Sequence, residues 1–140
     1  MVRRSLACTS ASIANIFDAQ LGSTGDLRES TDFDAWQRAR TGILRELSVS
    51  NPSDVLLAYG VQPPSGEHRR YFHDQVRWLE SVLADTVLRV WTVGNRAYHP
   101  SRWQRLTSRL VPVSELETGV GALLARRPLA PSRSGDIFEP

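Results

Sequence analysis

The chain of 140 residues is 41% hydrophobic and 23% charged, which is ordinary for one globular domain and argues against a disordered or fibrous protein. All 17 basic residues are arginine and the net charge is +2, a balance that permits binding to nucleic acid or phosphate without requiring it. The single cysteine, Cys8, excludes an intrachain disulfide, and no run of about 18 apolar residues predicts a membrane span, so a cytoplasmic protein is expected.

The first half of the chain contains two predicted strands with a helix between them. Residues 12–17 are uncharged and rich in small and β-favouring side chains, which favours a buried strand. Thr31 and Asp34 have the spacing of a capping box, so we predict that an amphipathic helix follows them. Residues 51–54 contain a proline that ends this helix. The continuous apolar run at residues 54–60 then predicts a central parallel strand.

The second half continues the alternation of strands and helices. Residues 68–83 carry an apolar stripe at helical spacing, and residues 88–93 predict a third strand. Residues 113–127 predict a final helix, weakened by two glycines. This order predicts a three-layer α/β fold with a mostly parallel central sheet flanked by helices. We expect one domain over residues 1–127 and a flexible, Pro/Ser-rich tail over residues 128–140.

The strand order also predicts where a ligand site would lie. In an open parallel sheet, ligands bind beyond the carboxyl ends of the strands. That rule selects residues 15–27, 59–68 and 94–103, which follow the three predicted strands. We expect four polar side chains from these segments to share one cleft, namely Asn15, Asp18, Tyr59 and His99.

The third of these segments is the richest in groups that bind nucleotides. His99 could donate a hydrogen bond to an anion or a base carbonyl, and Arg96 and Arg102 could hold phosphate. Tyr98 or Trp103 could stack on a nucleobase. In the alternative interpretation the two rings close the edge of the core, His-Pro makes a turn and the arginines are solvated. The predicted ligand-binding residues are Asn15, Tyr59, Arg96, Tyr98, Ser101, Arg102 and Trp103.

Several short motifs occur in a fixed order along the chain: Asn15-Ile-Phe17, Asp26-Leu27, Ala58-Tyr-Gly60, then Gly94 and His99-Pro100. In this order the chain resembles the bacterial family called domain of unknown function 1643. The resemblance covers residues 13–103 and implies an α/β fold in a bacterial or phage protein, with no activity attached. Members of that family begin with a further strand and have Leu-Tyr after His-Pro, where this chain has Ser101-Arg102. The chain therefore resembles a shortened or divergent member.

A second motif follows the last predicted strand. His99-Pro-Ser101 is similar to the His-Pro-Ser motif of the uracil-DNA glycosylase superfamily. The resemblance implies that His99 stabilises negative charge on a leaving base after the nucleotide has been flipped out of the stack. Asp18 is the counterpart of the residue that positions water in those enzymes, although the residues around it do not match their motif.

Three classes of function stay open. A module that binds nucleotide or nucleic acid would use the cluster at the strand ends. A glycosylase-like or hydrolytic enzyme acting on nucleic acid would use His99 and Asp18 as catalytic residues. A structural or partner-binding subunit, or a homo-oligomer, would offer a sheet edge that another chain completes. No metal or cofactor is predicted, because there is one cysteine and no cluster of carboxylates.

Overall fold

A small mixed sheet lies at the centre of the structure, a computed structural model that describes residues 1–21 and 26–130. Strand β1 (Asp54–Leu56) pairs in parallel with β2 (Arg89–Val93), and β2 pairs antiparallel with β3 (Leu124–Arg126). The strand order β1-β2-β3 makes β2 the central strand of the sheet. The fold is therefore mixed α/β. The prediction of a mostly parallel sheet is wrong, because β3 pairs antiparallel with β2 and one of the two strand pairs is therefore not parallel.

Helices account for most of the remaining regular structure in the described ranges. In chain order the α-helices are α1 (Val2–Ser5), α2 (Asp34–Ser50), α3 (His68–Ala84), α4 (Trp103–Thr107) and α5 (Leu116–Leu123). Short 3-10 turns occur at Asp26–Arg28, Pro100–Arg102 and Val113–Glu115. The helix predicted at residues 68–83 is confirmed almost residue for residue by α3. The strand predicted at residues 88–93 is confirmed by β2.

The hydrophobic core forms where α2 and α3 pack on the parallel pair of strands. Each of these elements contributes its buried apolar face, as the helical and strand periodicities require. The buried members of this core are Ile43 from α2, Leu57 directly after β1, Leu79 and Leu83 from α3, Val90 from β2, and Ala97.

The predicted capping box at the start of α2 is wrong. The helix begins at Asp34 with Phe33 in the N-cap position, and Phe33 makes no side-chain capping hydrogen bond. The ring of Phe33 instead stacks on the buried His68 ring, with 4.6 Å between centroids. This stacking fixes the entry of the chain into α2, so the start of the helix is set by packing rather than by Thr31.

The first predicted strand is also wrong. Residues 12–17 form no strand, and Ile13 is 88% exposed. The segment is held by the buried amide of Gln75, whose Nε2 donates to the carbonyl oxygens of Ile16 and Trp36, each at 2.9 Å. Because its backbone bonds go to a helix side chain rather than to a neighbouring strand, this segment does not extend the sheet.

The strand predicted at residues 54–60 is real but shorter than expected. After β1 the chain leaves the sheet and turns at Gly60, which has φ +95°. This left-handed conformation favours glycine, because a side chain would be strained there. The Gly60 amide donates to the carbonyl of Ala97 at 2.8 Å, so the loop after β1 is bonded to the loop after β2.

The final predicted helix, residues 113–127, is in fact a 3-10 turn, α5 and then β3. The close approach of α4 and α5 depends on Gly119, since a Cβ there would lie 2.6 Å from Cγ2 of Val111 and 2.8 Å from Cβ of Thr107. Leu124, directly after α5, is extended with φ −61° and ψ 122°, and the chain enters β3. Local periodicity could not predict β3, because its pairing partner β2 is distant in sequence.

The end of the chain lies largely outside the described residues. Of the predicted flexible tail at residues 128–140, only residues 128–130 are described, and Leu129 packs against the core. The domain boundary at residue 127 therefore stays a prediction. Across residues 1–21 and 26–130, no helix combines the length and the apolar character needed to cross a membrane.

Candidate functional site

The loops that follow the two parallel strands lie against each other. Besides the hydrogen bond from Gly60 to Ala97, a Cβ placed on Gly60 would lie 3.8 Å from Cβ of His99. Adjacent parallel strands bring their carboxyl ends to the same edge of a sheet, and this contact is the result. Two of the three segments selected from the sequence, residues 59–68 and 94–103, therefore adjoin.

His99 is an exposed side chain whose orientation is fixed by its neighbour. It is the N-cap of the 3-10 turn Pro100–Arg102, and its Nδ1 accepts the backbone N–H of Ser101 at 3.3 Å. The Ser101 hydroxyl lies 2.9 Å from the same nitrogen. Since a backbone N–H can only donate, the ring proton of the neutral imidazole belongs on Nε2. Nε2 has no partner in the part of the chain that the structure describes, so it can donate to a phosphate or carbonyl oxygen.

The two aromatic residues of the segment brace the loop. The Trp103 indole N–H donates to the Tyr98 carbonyl at 3.0 Å, and the Tyr98 ring covers Gly94, at 3.5 Å from where a Cβ would sit. Both rings are half-buried. These contacts agree with the interpretation in which the rings close the edge of the core, whereas their role in stacking on a base stays a prediction.

Four arginines follow β2, on the loop, the 3-10 turn, α4 and the turn after α4. The guanidinium groups of Arg96, Arg102, Arg105 and Arg109 are exposed and make no hydrogen bond or ion pair with any other described residue. Arg102 and Arg105 are three positions apart on one helical turn, so they project from the same face. We missed Arg105 and Arg109 in the sequence. The available signal was a stretch from residue 86 to residue 114 that contains no Asp or Glu.

Some arginines elsewhere on the surface have acidic partners, whereas four others make no ion pair among the described residues: Arg3, Arg28, Arg45 and Arg69. Arg38 Nη2 lies 2.6 Å from a carboxylate oxygen of Asp32. This contact lowers the pKa of the Asp32 carboxyl below its ordinary value, chiefly through the hydrogen bond. Arg77 Nη2 is bonded to Asp74 at 2.8 Å. What distinguishes the segment that contains Arg96, Arg102, Arg105 and Arg109 is that residues 86–114 contain no Asp or Glu.

Tyr59 lies near the same strand end but turns toward α3. Its hydroxyl donates to Glu80 Oε1 at 3.5 Å, and the same carboxylate oxygen accepts a bond from Arg127. Burial of the ring, with the Glu80 charge as a second cause, raises the pKa of Tyr59 to about 12. Tyr59 is therefore protonated near neutral pH and is engaged in a structural network.

Asn15 and Asp18 line a different cleft. This cleft, about 440 Å³ in volume, lies between residues 13–18 and α2. Asp18 Oδ2 is 3.7 Å from Nε of Arg38, and its backbone N–H donates to the Ala35 carbonyl. No described contact joins either residue to His99. Because the chain before Asp18 does not enter the sheet, the rule for strand ends does not apply to it, and the catalytic pairing of His99 with Asp18 stays a prediction.

The fold and these contacts define the class of the molecule: a mixed α/β protein with an arginine-bearing loop and helix after its central strand. No protein-family model, curated protein or solved structure matches the chain. The resemblances to domain of unknown function 1643 and to the glycosylase superfamily stay predictions. Within the described ranges, no three His, Cys, Asp or Glu side chains are grouped closely enough to hold a metal ion.

Proposed function

We propose that the protein binds nucleic acid through an arginine surface, defined as Arg96, His99, Arg102, Arg105 and Arg109. The observation that carries this proposal is the set of four exposed guanidinium groups without acidic partners in the described chain. Unpaired, exposed arginines are the usual electrostatic footprint of proteins that bind phosphate backbones.

The shape of the arginine surface favours a polymer over a free nucleotide. Sites for small ligands are concave and bury most of the ligand. Here the four charges are spread over the loop after β2, the 3-10 turn, α4 and the turn after α4, and each guanidinium can grip a phosphate with two parallel N–H groups. The Nε2–H of His99, between Arg96 and Arg102 in the chain, adds a further donor. An extended polyanion can contact all of these groups together.

A salt titration tests the proposal. Binding of a fluorescein-labelled oligonucleotide, followed by anisotropy, should weaken steeply between about 50 and 200 mM salt, because phosphate contacts release counterions. Arg102→Ala and Arg105→Ala should each weaken binding and reduce the slope of log K against log salt by about 0.7 to 0.9.

The control is Arg77→Ala, which removes an exposed arginine on α3 that is already paired with Asp74. It should leave both the affinity and the slope nearly unchanged. Absence of binding at about 50 mM salt would refute the proposal. So would equal losses from Arg77→Ala and Arg102→Ala, because they would show that only net charge matters.

A further inference from the structure

The turn after α4 holds two aliphatic side chains in solvent. Leu110 is 57% exposed and Val113 is 61% exposed. Single exposed apolar residues are normal on protein surfaces. These two, however, are separated by only two residues of one turn, and we refer to Leu110 and Val113 as the apolar tip.

The backbone beneath the apolar tip is fixed. The amides of Leu110 and Val111 both donate to the Thr107 carbonyl, at 2.8 and 3.0 Å. Between the two exposed residues, Val111 packs into the space that Gly119 leaves open. The tip is therefore presented by a rigid turn, and a ligand that covers it loses little entropy in ordering the protein.

The apolar tip continues the arginine surface. Leu110 directly follows Arg109, and no acidic residue intervenes before Glu115. A ligand that neutralises Arg109 therefore lies close to the exposed Leu110, its neighbour in the chain. The matching ligand has phosphates next to flat apolar groups.

We infer that this surface takes single-stranded nucleic acid, with the phosphates on the arginines and unpaired bases against the apolar tip. The inference rests on the proposed function. In a duplex the base faces are stacked inside and phosphates dominate the outer surface, so the apolar tip gains little contact. In an unpaired strand the base faces are free to pack on apolar side chains, and every base has such a face. This contact does not depend on sequence.

The test compares one oligonucleotide alone and annealed to its complement. Wild-type protein should bind the single strand at least about tenfold more tightly, a difference that corresponds to roughly 55 Å² of apolar surface removed from water. Leu110→Ser with Val113→Ser should remove most of that preference and leave duplex binding and its salt dependence unchanged. Both side chains are more than half exposed, so the variant should keep its fold, which circular dichroism checks.

The matched control is Val49→Ser with Val87→Ser, two residues that are 78% and 100% exposed and lie far along the chain from α4. It should not change the preference. Equal wild-type affinity for both forms, or a preference that survives in the Leu110/Val113 variant, would overturn the inference while leaving salt-dependent binding intact. A change of oligomeric state by light scattering in that variant would also overturn it, since the tip would then serve a protein contact. If the proposed function itself is wrong, the outcome is different, because neither the single strand nor the duplex would then bind to the protein.

Discussion

His68 and His99 are imidazole side chains in opposite surroundings, one buried and one exposed. His68 is 1% exposed, accepts the Trp36 indole N–H at Nδ1, and its Nε2 lies 2.8 Å from the Ser30 carbonyl. An indole N–H can only donate, so the ring proton is on Nε2. His68 therefore joins two helices and a loop, whereas the same nitrogen of His99 stays available to a ligand.

Asp54 is the acidic residue most deeply embedded in the sheet. Its carboxylate accepts bonds from the Trp91 indole at 2.7 Å and from Arg89 at 2.6 Å, and its side chain is 7% exposed. Burial by itself pushes the pKa of Asp54 upward, but the bonds from Trp91 and Arg89 outweigh it and hold the pKa below the ordinary value.

This shift predicts a pH-dependent contribution to stability. Because the folded-state pKa is depressed, the charged carboxylate stabilises the fold above the unfolded pKa of about 3.9, and the contribution is lost as pH falls through the folded pKa. Asp54→Asn should therefore lower the free energy of unfolding by about 2 kcal/mol near neutral pH, the scale of hydrogen bonds to a charged group. Urea unfolding at a series of pH values measures this.

Below pH about 4 the difference between wild type and Asp54→Asn should shrink toward zero. Asp74→Asn, which breaks an exposed pair on α3, should change stability by less than about 1 kcal/mol at any pH. If Asp54→Asn lowered the free energy of unfolding by the same amount at every pH, the charge of Asp54 would not be what stabilises the strand.

At the scale of elements, two glycines in helices have opposite surroundings. In α5, a Cβ on Gly119 would collide with side chains near α4, whereas a Cβ on Gly42 in α2 would meet nothing within 4 Å. Alanine is the better helix former by about 1 kcal/mol at both positions. Packing around the glycine, rather than helix propensity, therefore decides whether alanine raises or lowers the free energy of unfolding.

We predict that Gly42→Ala raises the free energy of unfolding by about 1 kcal/mol. Gly119→Ala should lower it by about 1 to 3 kcal/mol, because α5 must shift away from α4. Thermal unfolding of the two variants beside wild type compares them directly. Stabilisation by both substitutions would mean that α4 and α5 are not packed as closely as described.

The sequence predicts those helices and strands whose hydrophobic pattern is complete within one short stretch of the chain. The apolar stripe of α3 and the apolar run of β2 are of this kind. Residues 12–17 have the composition of a strand, but no strand within residues 1–21 and 26–130 pairs with them. Residues 124–126 read as the end of a helix, yet they extend because β2 offers an edge. Strand pairing depends on residues that are distant in the sequence. The hydrophobic periodicity of a short stretch therefore does not predict it.

At the scale of the molecule, Gln75 joins three parts of the chain. Its side chain is fully buried, its Nε2 bonds the carbonyls of Ile16 and Trp36, and its Oε1 accepts from Arg40 Nε at 2.8 Å. The N-terminal segment, α2 and α3 therefore depend on one amide group.

Gln75→Leu keeps the volume of the side chain but leaves these groups without their partner. We expect the free energy of unfolding to fall by about 3 kcal/mol, since each unsatisfied buried group costs about 1 to 3 kcal/mol. Limited proteolysis should also become faster before Ile16. Gln37→Leu, at an exposed position of α2, should change neither measurement by much. Equal proteolysis of both variants would contradict the role given to Gln75.

One part of the candidate site could be predicted from the sequence, namely the part that follows from the parallel pairing of β1 with β2. The meeting of residues 59–60 with residues 97–99 is of this kind, because β1 and β2 are both clear in the sequence. Asn15 and Asp18 lie elsewhere, since their position depends on Gln75 rather than on the sheet. The net charge of +2 gave no hint of where positive charge gathers, because paired and unpaired arginines count equally in it.

The antiparallel position of β3 has a consequence for synthesis. The central strand β2 gains its second neighbour only when residues 124–126 have left the ribosome. A nascent chain that stops earlier exposes unpaired backbone along β2, a surface that pairs readily with other chains. Interrupted translation of this protein should therefore yield aggregating fragments rather than smaller folded ones.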